Sequence, residues 1–500
     1  MATPDAIMAD TSNTVASPAN ATSHSPFNKL PLEILLRITH RLTTPELGNV
    51  RLTCRAIEQA LYTTFINEFF TRKQFMLSQF SLEALIDISK SRLSQHLRKV
   101  QIGLDRHVNP RTVPGVTDHR KRGLLASHVE QATLISTGHH RVLLVEAFRN
   151  LSNLEEVEIR DFNSSRRTRD GPYKHWASYG STTAYQVNGY RPDQGTRIAA
   201  ALTPVFEFQN MAFSVVLFAL GQAGARPKGL VYMSRNHQQL SDEAFNIASY
   251  MEPSVVPVLQ GLEKLHVDIT QNAELYEAQE PPISRDWACD RALRYFLVNS
   301  NKMKHLRINN NTANPDMGNL LIWLAQPSSS SPSALEPSPS FPDLEEINLG
   351  SMFVKAPVIL ALIRKFAPTL KRLELWKVTL LRDIPEDPHY SPKVNFWSKF
   401  LERLRNIPDL DLRHIKIGHM AQRWFERPII WAKVVDGDYY GDDTAEYTGS
   451  DWKHFVGELI PKVTVQFRDI YQNDGDTSND EDEDGDSEDD GVWDQYALDL

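Results

Sequence analysis

From Leu97 onward the chain repeats one short pattern: an apolar residue, two charged or histidine residues, an apolar residue, a polar one and an apolar one. It reads LRKVQI at Leu97, LEEVEI at Leu154, LEKLHV at Leu262, MKHLRI at Met303, LEEINL at Leu344, LKRLEL at Leu370 and LRHIKI at Leu412. The closing residues alternate apolar, polar and apolar, which is the period of a strand. Stretches with helical spacing lie between several copies, such as DWACDRALRYFLVN (286–299), VKAPVILALIRKFA (354–367) and NFWSKFLERL (395–404). FTRKQFMLSQFSLEALIDISKSRL (70–93) also reads as helix, and KVTVQF (462–467) as a last strand. A strand followed by a helix cannot bury its apolar face alone, but stacking on the next unit can. Strand–helix–strand runs in one direction favour a parallel sheet. The copies are 57, 108, 41, 41, 26 and 42 residues apart, whereas a regular leucine-rich repeat has a period of about 20–29. The expected fold is therefore α/β, an irregular leucine-rich-repeat-like solenoid carrying insertions. Val157, Leu265, Leu306, Ile347, Leu373 and Ile415 should face one core. Glu158, His266, Arg307, Asn348, Glu374 and Lys416 should form a ladder on a concave face.

Ahead of this array, LPLEILLRITHRLTTPELGNVRLTCRAIEQAL (30–61) packs three helix signals into a short space. Pro31 suits a first turn, where its missing N–H is no loss, and Ile34, Leu35 and Ile38 follow at helical spacing. Thr44 is placed to cap a second helix, with Pro45 and Glu46 in its first turn and Leu47, Val50 and Cys54 on its apolar face. Ile57 and Leu61 belong to a third. A module of this size is at the lower limit of independent stability and is too apolar to cover itself, so it should dock a partner.

Leu30-Pro31, Glu33, Ile34-Leu35, Ile38, Leu42, Leu47, Arg51 and Cys54-Arg55 match the F-box motif position by position, with Thr53 where a larger aliphatic residue is usual. The chain resembles fungal F-box proteins with leucine-rich-repeat-like C-terminal regions. That resemblance implies a three-helix F-box over 27–67. It implies docking on the Skp linker through Leu30, Pro31, Ile34, Leu35, Ile38, Leu42, Leu47, Val50 and Cys54. It also implies attachment to a cullin through that linker, with the solenoid recruiting a protein substrate for ubiquitination. The other reading it leaves open is a Skp-bound scaffold acting outside a cullin ligase.

Composition refines the outline. Residues 1–26 are rich in Ala, Thr, Ser, Asn and Pro and read as a disordered arm without the apolar core of a secretory signal. The solenoid spans 68–470, with a Ser/Pro-rich segment at 327–342 read as a disordered loop. The net charge of −9 is concentrated at the end, in an acidic tail over 471–500 with 11 acidic and no basic residues between Asp474 and Gly491. The remaining 52 acidic and 54 basic side chains nearly cancel, so no basic field points to nucleic acid. Two cysteines, Cys54 and Cys289, exclude a disulfide framework and fit the cytoplasm or nucleus. The uncharged window Phe208–Ala225 is diluted by Gln209, Asn210 and Gln222 and reads as a buried helix, not a membrane span.

Catalytic signatures are missing. There is no phosphate loop, nucleophile elbow or His-Glu-x-x-His run, so a non-catalytic subunit without cofactor or metal is expected. His139 and His140 are adjacent on a helix and face different sides, and the run at Asp480 lacks the glutamate that a calcium loop needs at its twelfth position. The insertion at 160–197 carries seven Arg/Lys against three Asp with interleaved aromatics. Arg166, Arg167, Arg169, Tyr173 and Trp176 are its candidate substrate anchors, by their capacity for ion pairing and stacking.

Overall fold

The structure, a computed structural model, describes residues 30–107, 109–110, 118–163, 168–170, 177–189, 192, 208–235, 239–270, 290–310, 317–327, 337–382, 393–424, 428–435, 443–465 and 467. The chain divides into two units: residues up to 65 together with 167–174, and the remainder.

The first unit holds α1 (Leu32–His40), α2 (Thr44–Leu52) and most of α3 (Arg55–Phe69). Pro31 sits one position ahead of α1, and its carbonyl accepts the N–H groups of Ile34 and Leu35, both at 3.1 Å. The second helix is capped by Thr43 and not by the expected Thr44. The reason is Glu46, whose carboxylate accepts both the N–H and the hydroxyl of Thr43 at 2.8 Å, the reciprocal arrangement that stabilises a helix start. Arg51 joins α2 to α3 by pairing with Glu58 at 3.1 Å while lying over the Phe65 ring.

The second unit is one sheet. Strands β1 (Arg72–Met76), β2 (Lys99–Gly103), β3 (Glu156–Arg160), β4 (Gly229–Met233), β5 (Lys264–Asp268), β6 (His305–Asn309), β7 (Glu346–Lys355), β8 (Arg372–Arg382) and β9 (His414–Gly418) pair in chain order, all parallel. The carbonyl of the residue before a strand accepts two N–H groups from the next unit, as Glu155 does from Lys228 and Gly229 at 2.7 and 2.9 Å. Val157, Leu230, Leu265, Leu306, Ile347, Leu373 and Ile415 lie opposite one another in register and are buried in one continuous core. Helices fill the other side of that core, among them α4 (Gln79–Lys90), α6 (His139–Asn150), α8 (Phe208–Ala223), α9 (Glu252–Leu259), α10 (Arg291–Val298), α11 (Met317–Ala325), α12 (Ala356–Phe366) and α13 (Phe396–Arg405). Two further helices, α5 (Asp118–Ser136) and α7 (Ser181–Asn188), pack on each other.

Towards its C-terminal end the sheet changes character. Ser351, Lys377 and His419 adopt left-handed backbone at φ 50, 54 and 48°, at one shared rung of β7, β8 and the strand formed by β9 with β10 (Ala421–Trp424). Pairing then turns antiparallel: β10 with β11 (Ile430–Val434), β11 with β13 (Val463–Val465), and β9 with β12 (Thr444–Thr448).

Two expectations are corrected. Residues 70–93 are not one helix but β1 followed by α4, because β1 continues the sheet through its register with β2. The end of the Ser/Pro-rich segment is packed. Phe341 is buried against Phe366, and the Lys365 ammonium donates to the carbonyls of Leu324 and Pro339 and to the Ser338 hydroxyl at 2.8, 2.8 and 2.6 Å. Residues 328–336 of that segment, the N-terminal arm, the acidic tail and the run at Asp480 lie outside the described residues.

Candidate interaction surfaces

In the first unit, the apolar side chains divide by depth. Leu35 and Leu47, both expected on the linker interface, are buried within this unit. Leu30, Leu42, Val50 and Cys54 are half-buried. Pro31, Ile34 and Ile38 remain exposed, Ile34 at 40% and Ile38 at 38%. Leu32 and Leu52, at 47% and 85%, join them. Helical spacing alone did not single these two out, because it marks an apolar stripe without saying which of its members turn outward. α1 therefore carries an uncovered aliphatic strip on a short helix, and such a strip calls for a partner.

Residues 27–66 match the family model described as F-box-like. This segment is an F-box-like domain. No curated protein matches the chain. The solved yeast complex of Rad7 and Elc1 shares 10% identity, over 76% of this chain and 87% of that one, with a TM-score of 0.22.

Within the F-box-like unit the structure adds a contact that the sequence does not announce. The turn at Thr168–Asp170, from the insertion after β3, belongs to this unit. Asp170 accepts the N–H and the hydroxyl of Thr44 at 2.8 and 2.6 Å, at the start of α2. Arg169 donates to the carbonyls of Thr39, where the contact is short, and of Leu42 at 2.8 Å, at the end of α1. A carboxylate at a helix start and a guanidinium at a helix end each meet the favourable pole of the helix dipole. Arg169, expected as a substrate anchor, is placed here at the end of α1. Arg166, Arg167, Tyr173 and Trp176 lie outside the described residues. Further along the insertion, Tyr179 stacks on Phe80 with ring centres 5.6 Å apart.

In the second unit, the face of the sheet opposite the helices is polar. Glu158, His266, Arg307, Asn348, Glu374 and Lys416 fall in one row, as expected, with Val231 between the first two and Gln101 before them. Most of these side chains are buried, and Glu158, Glu374 and Lys416 meet opposite charges from outside the row. Arg160 donates to Gln74, Gln101 and Glu158, and Gln101 donates to Glu158 at 2.6 Å. In the neighbouring row Glu156 is held by Lys99 at 3.2 Å and Lys264 at 3.0 Å, and their charges keep its carboxyl below the usual range despite burial. Lys264 reaches across β4 because Gly229 stands between; a Cβ there would come within 2.9 Å of Glu156. Glu346 likewise takes His305 at 3.0 Å and Arg372 at 3.3 Å.

His140 is buried and its ring contacts the Leu134 carbonyl at 3.1 Å. No group of three or more potential metal ligands occurs among the described residues, and no helix among them is long and apolar enough to cross a membrane.

Proposed function

We propose that the protein is a non-catalytic substrate adaptor of a Skp–cullin–F-box ubiquitin ligase. The F-box-like domain docks on a Skp linker, and the strand–helix stack, read as an irregular leucine-rich-repeat-like solenoid, recruits a protein substrate on its polar face. The observation that carries this reading is the exposed strip of Pro31, Ile34 and Ile38 on a segment that matches the F-box-like family. A short amphipathic helix with uncovered aliphatic side chains supplies the anchors that a helix-binding groove accepts. The mixed charge of the polar face supports a protein substrate over nucleic acid, since a phosphate backbone needs a surplus of cations.

The test is co-purification of a Skp linker and a cullin with the full chain. Ile34→Ala with Ile38→Ala should reduce linker affinity by about 2 kcal/mol or more, on the order of 30-fold or greater. Unimpaired capture by the double variant would remove the F-box from the interface. Capture of the linker without any cullin would favour the scaffold reading.

A further inference from the structure

Along the central row of the polar face, satisfied side chains flank three that are not. On one side Gln74, Gln101, Glu158 and Arg160 close their own network. On the other, Glu374 faces His414 at 3.5 Å and Arg372 at 3.9 Å, and Lys416 pairs with Glu446 at 3.1 Å. Between them His266, Arg307 and Asn348 lie opposite one another on β5, β6 and β7. Arg307 is half-buried and, among the described residues, makes neither a hydrogen bond nor an ion pair. His266 is buried and makes no hydrogen bond among them either. Asn348 donates its amide N–H to Glu346 at 2.9 Å, which fixes the orientation of the amide. Its Oδ1 is thereby left buried without a donor.

Asp268 attracts Arg307 through its charge but makes no hydrogen bond to it. Both oxygens of Asp268 are engaged, one by the Ser234 N–H and the other by Asn309, each at 2.7 Å. Burial, followed by the charges of Lys264, Arg307, His305 and Lys99, holds the His266 ring well below its usual pKa and so uncharged. A neutral imidazole still offers one N–H. Three adjacent rungs thus present a guanidinium, an imidazole N–H and an orphaned amide oxygen. The unmade hydrogen bond at the buried Asn348 Oδ1 costs stability, a cost that a bound donor would remove.

We infer that His266, Arg307 and Asn348 form a subsite for an acidic residue of an extended peptide. Its anionic oxygens accept from Arg307 and His266, and a backbone N–H of the same peptide donates to Asn348 Oδ1. This deepens the proposed adaptor role and rests on it, since the peptide would belong to the recruited substrate. The shared chemistry is an anionic oxygen group, carried by Asp, Glu or a phosphorylated residue.

The experiment uses the full chain and fluorescent 12-residue peptides with degenerate flanks and a fixed central Asp, Glu, phosphoserine, Gln or Lys. Acid-centred peptides should bind at least tenfold tighter than Gln-centred ones. The phosphoserine arm, set against Asp and Glu, tells phosphate from carboxylate, and a preference for either supports the subsite. Arg307→Gln should abolish the preference, whereas Arg72→Gln at the sheet edge should keep it. Asn348→Asp, which supplies Arg307 with an internal counter-charge, should abolish it as well and decides the matter if Arg307→Gln does not fold. No preference for acid-centred peptides, or a preference that survives Arg307→Gln or Asn348→Asp in a folded chain, overturns the inference. Linker capture by the same preparations reports on the F-box separately, so the two readings fail independently.

Discussion

Single residues show where this fold stores cost. Ser351 holds a φ of 50° without glycine's freedom, as Lys377 and His419 do at the same rung. Left-handed backbone costs an L-residue about 1–2 kcal/mol, more than the about 0.4–1 kcal/mol that glycine's looser unfolded chain would give back. Ser351→Gly should therefore raise the urea midpoint, by about 0.5–1 kcal/mol of stability. An unchanged or lower midpoint would mean that the kink is not strained there. Lys365 is a second case, because burial pushes its ammonium down to about 8. Folding is handicapped while that amine must stay charged, below pH 8. Above it the native state sheds the proton while the unfolded lysine, near about 10.4, keeps it, so stability gains with rising pH across that window. The stability of the wild type minus that of Lys365→Met should rise between pH 8 and pH 10; a flat difference contradicts the shifted amine.

At the scale of elements, the brace from Arg169 and Asp170 to α1 and α2 is an unusual contribution, because it comes from a loop more than a hundred residues downstream. Each charge-assisted bond of this kind contributes about 1.5–3 kcal/mol. Arg169→Ala with Asp170→Ala should accelerate hydrogen exchange at the start of α2 while leaving the β5–β7 amides protected. Equal protection in both chains would reduce the brace to an incidental contact. Nothing in the local sequence marks it, since a tertiary cap has no spacing rule. The strands were legible because alternation is local: the six expected inward positions needed only their own hexapeptides. Within the parallel run β1 to β9, two strands escaped for physical reasons. In β1, Lys73 occupies the register position of the inward Val100, so the pattern breaks at the sheet edge. In β4, PKGLVY begins with Pro227 and places Gly229 and Val231 at polar positions, because Glu156 fills the space a side chain would take there. That hidden strand accounts for the 108-residue interval between LEEVEI and LEKLHV. The polar row was legible as a row, but not its pairing, since which charges meet depends on a register that only the sheet fixes.

For the whole molecule, the division into a small helical unit and a long stacked sheet decides how damage should spread. In a parallel stack each unit rests on its neighbours, so stability is close to a sum of unit and interface terms. Leu306 is buried in the middle of the sheet, opposite Leu265 on one side and Ile347 on the other. Leu306→Ala removes apolar contacts and leaves a cavity, at a cost of about 2–5 kcal/mol. Because the inward residues belong to one core, the loss cannot stay on β6. Amides of β5 and β7 should lose protection together with it, before those of β1 and β2 at the far edge. The F-box-like helices contain none of these residues, so capture of the Skp linker by the folded variant should match that of the wild type at temperatures below the shifted unfolding midpoint. Hydrogen exchange followed by mass spectrometry reads the first expectation, and linker affinity reads the second. A uniform loss of protection from β1 to β9 would show one all-or-none sheet instead of a stack. A parallel loss of linker binding would show that the two units do not act separately.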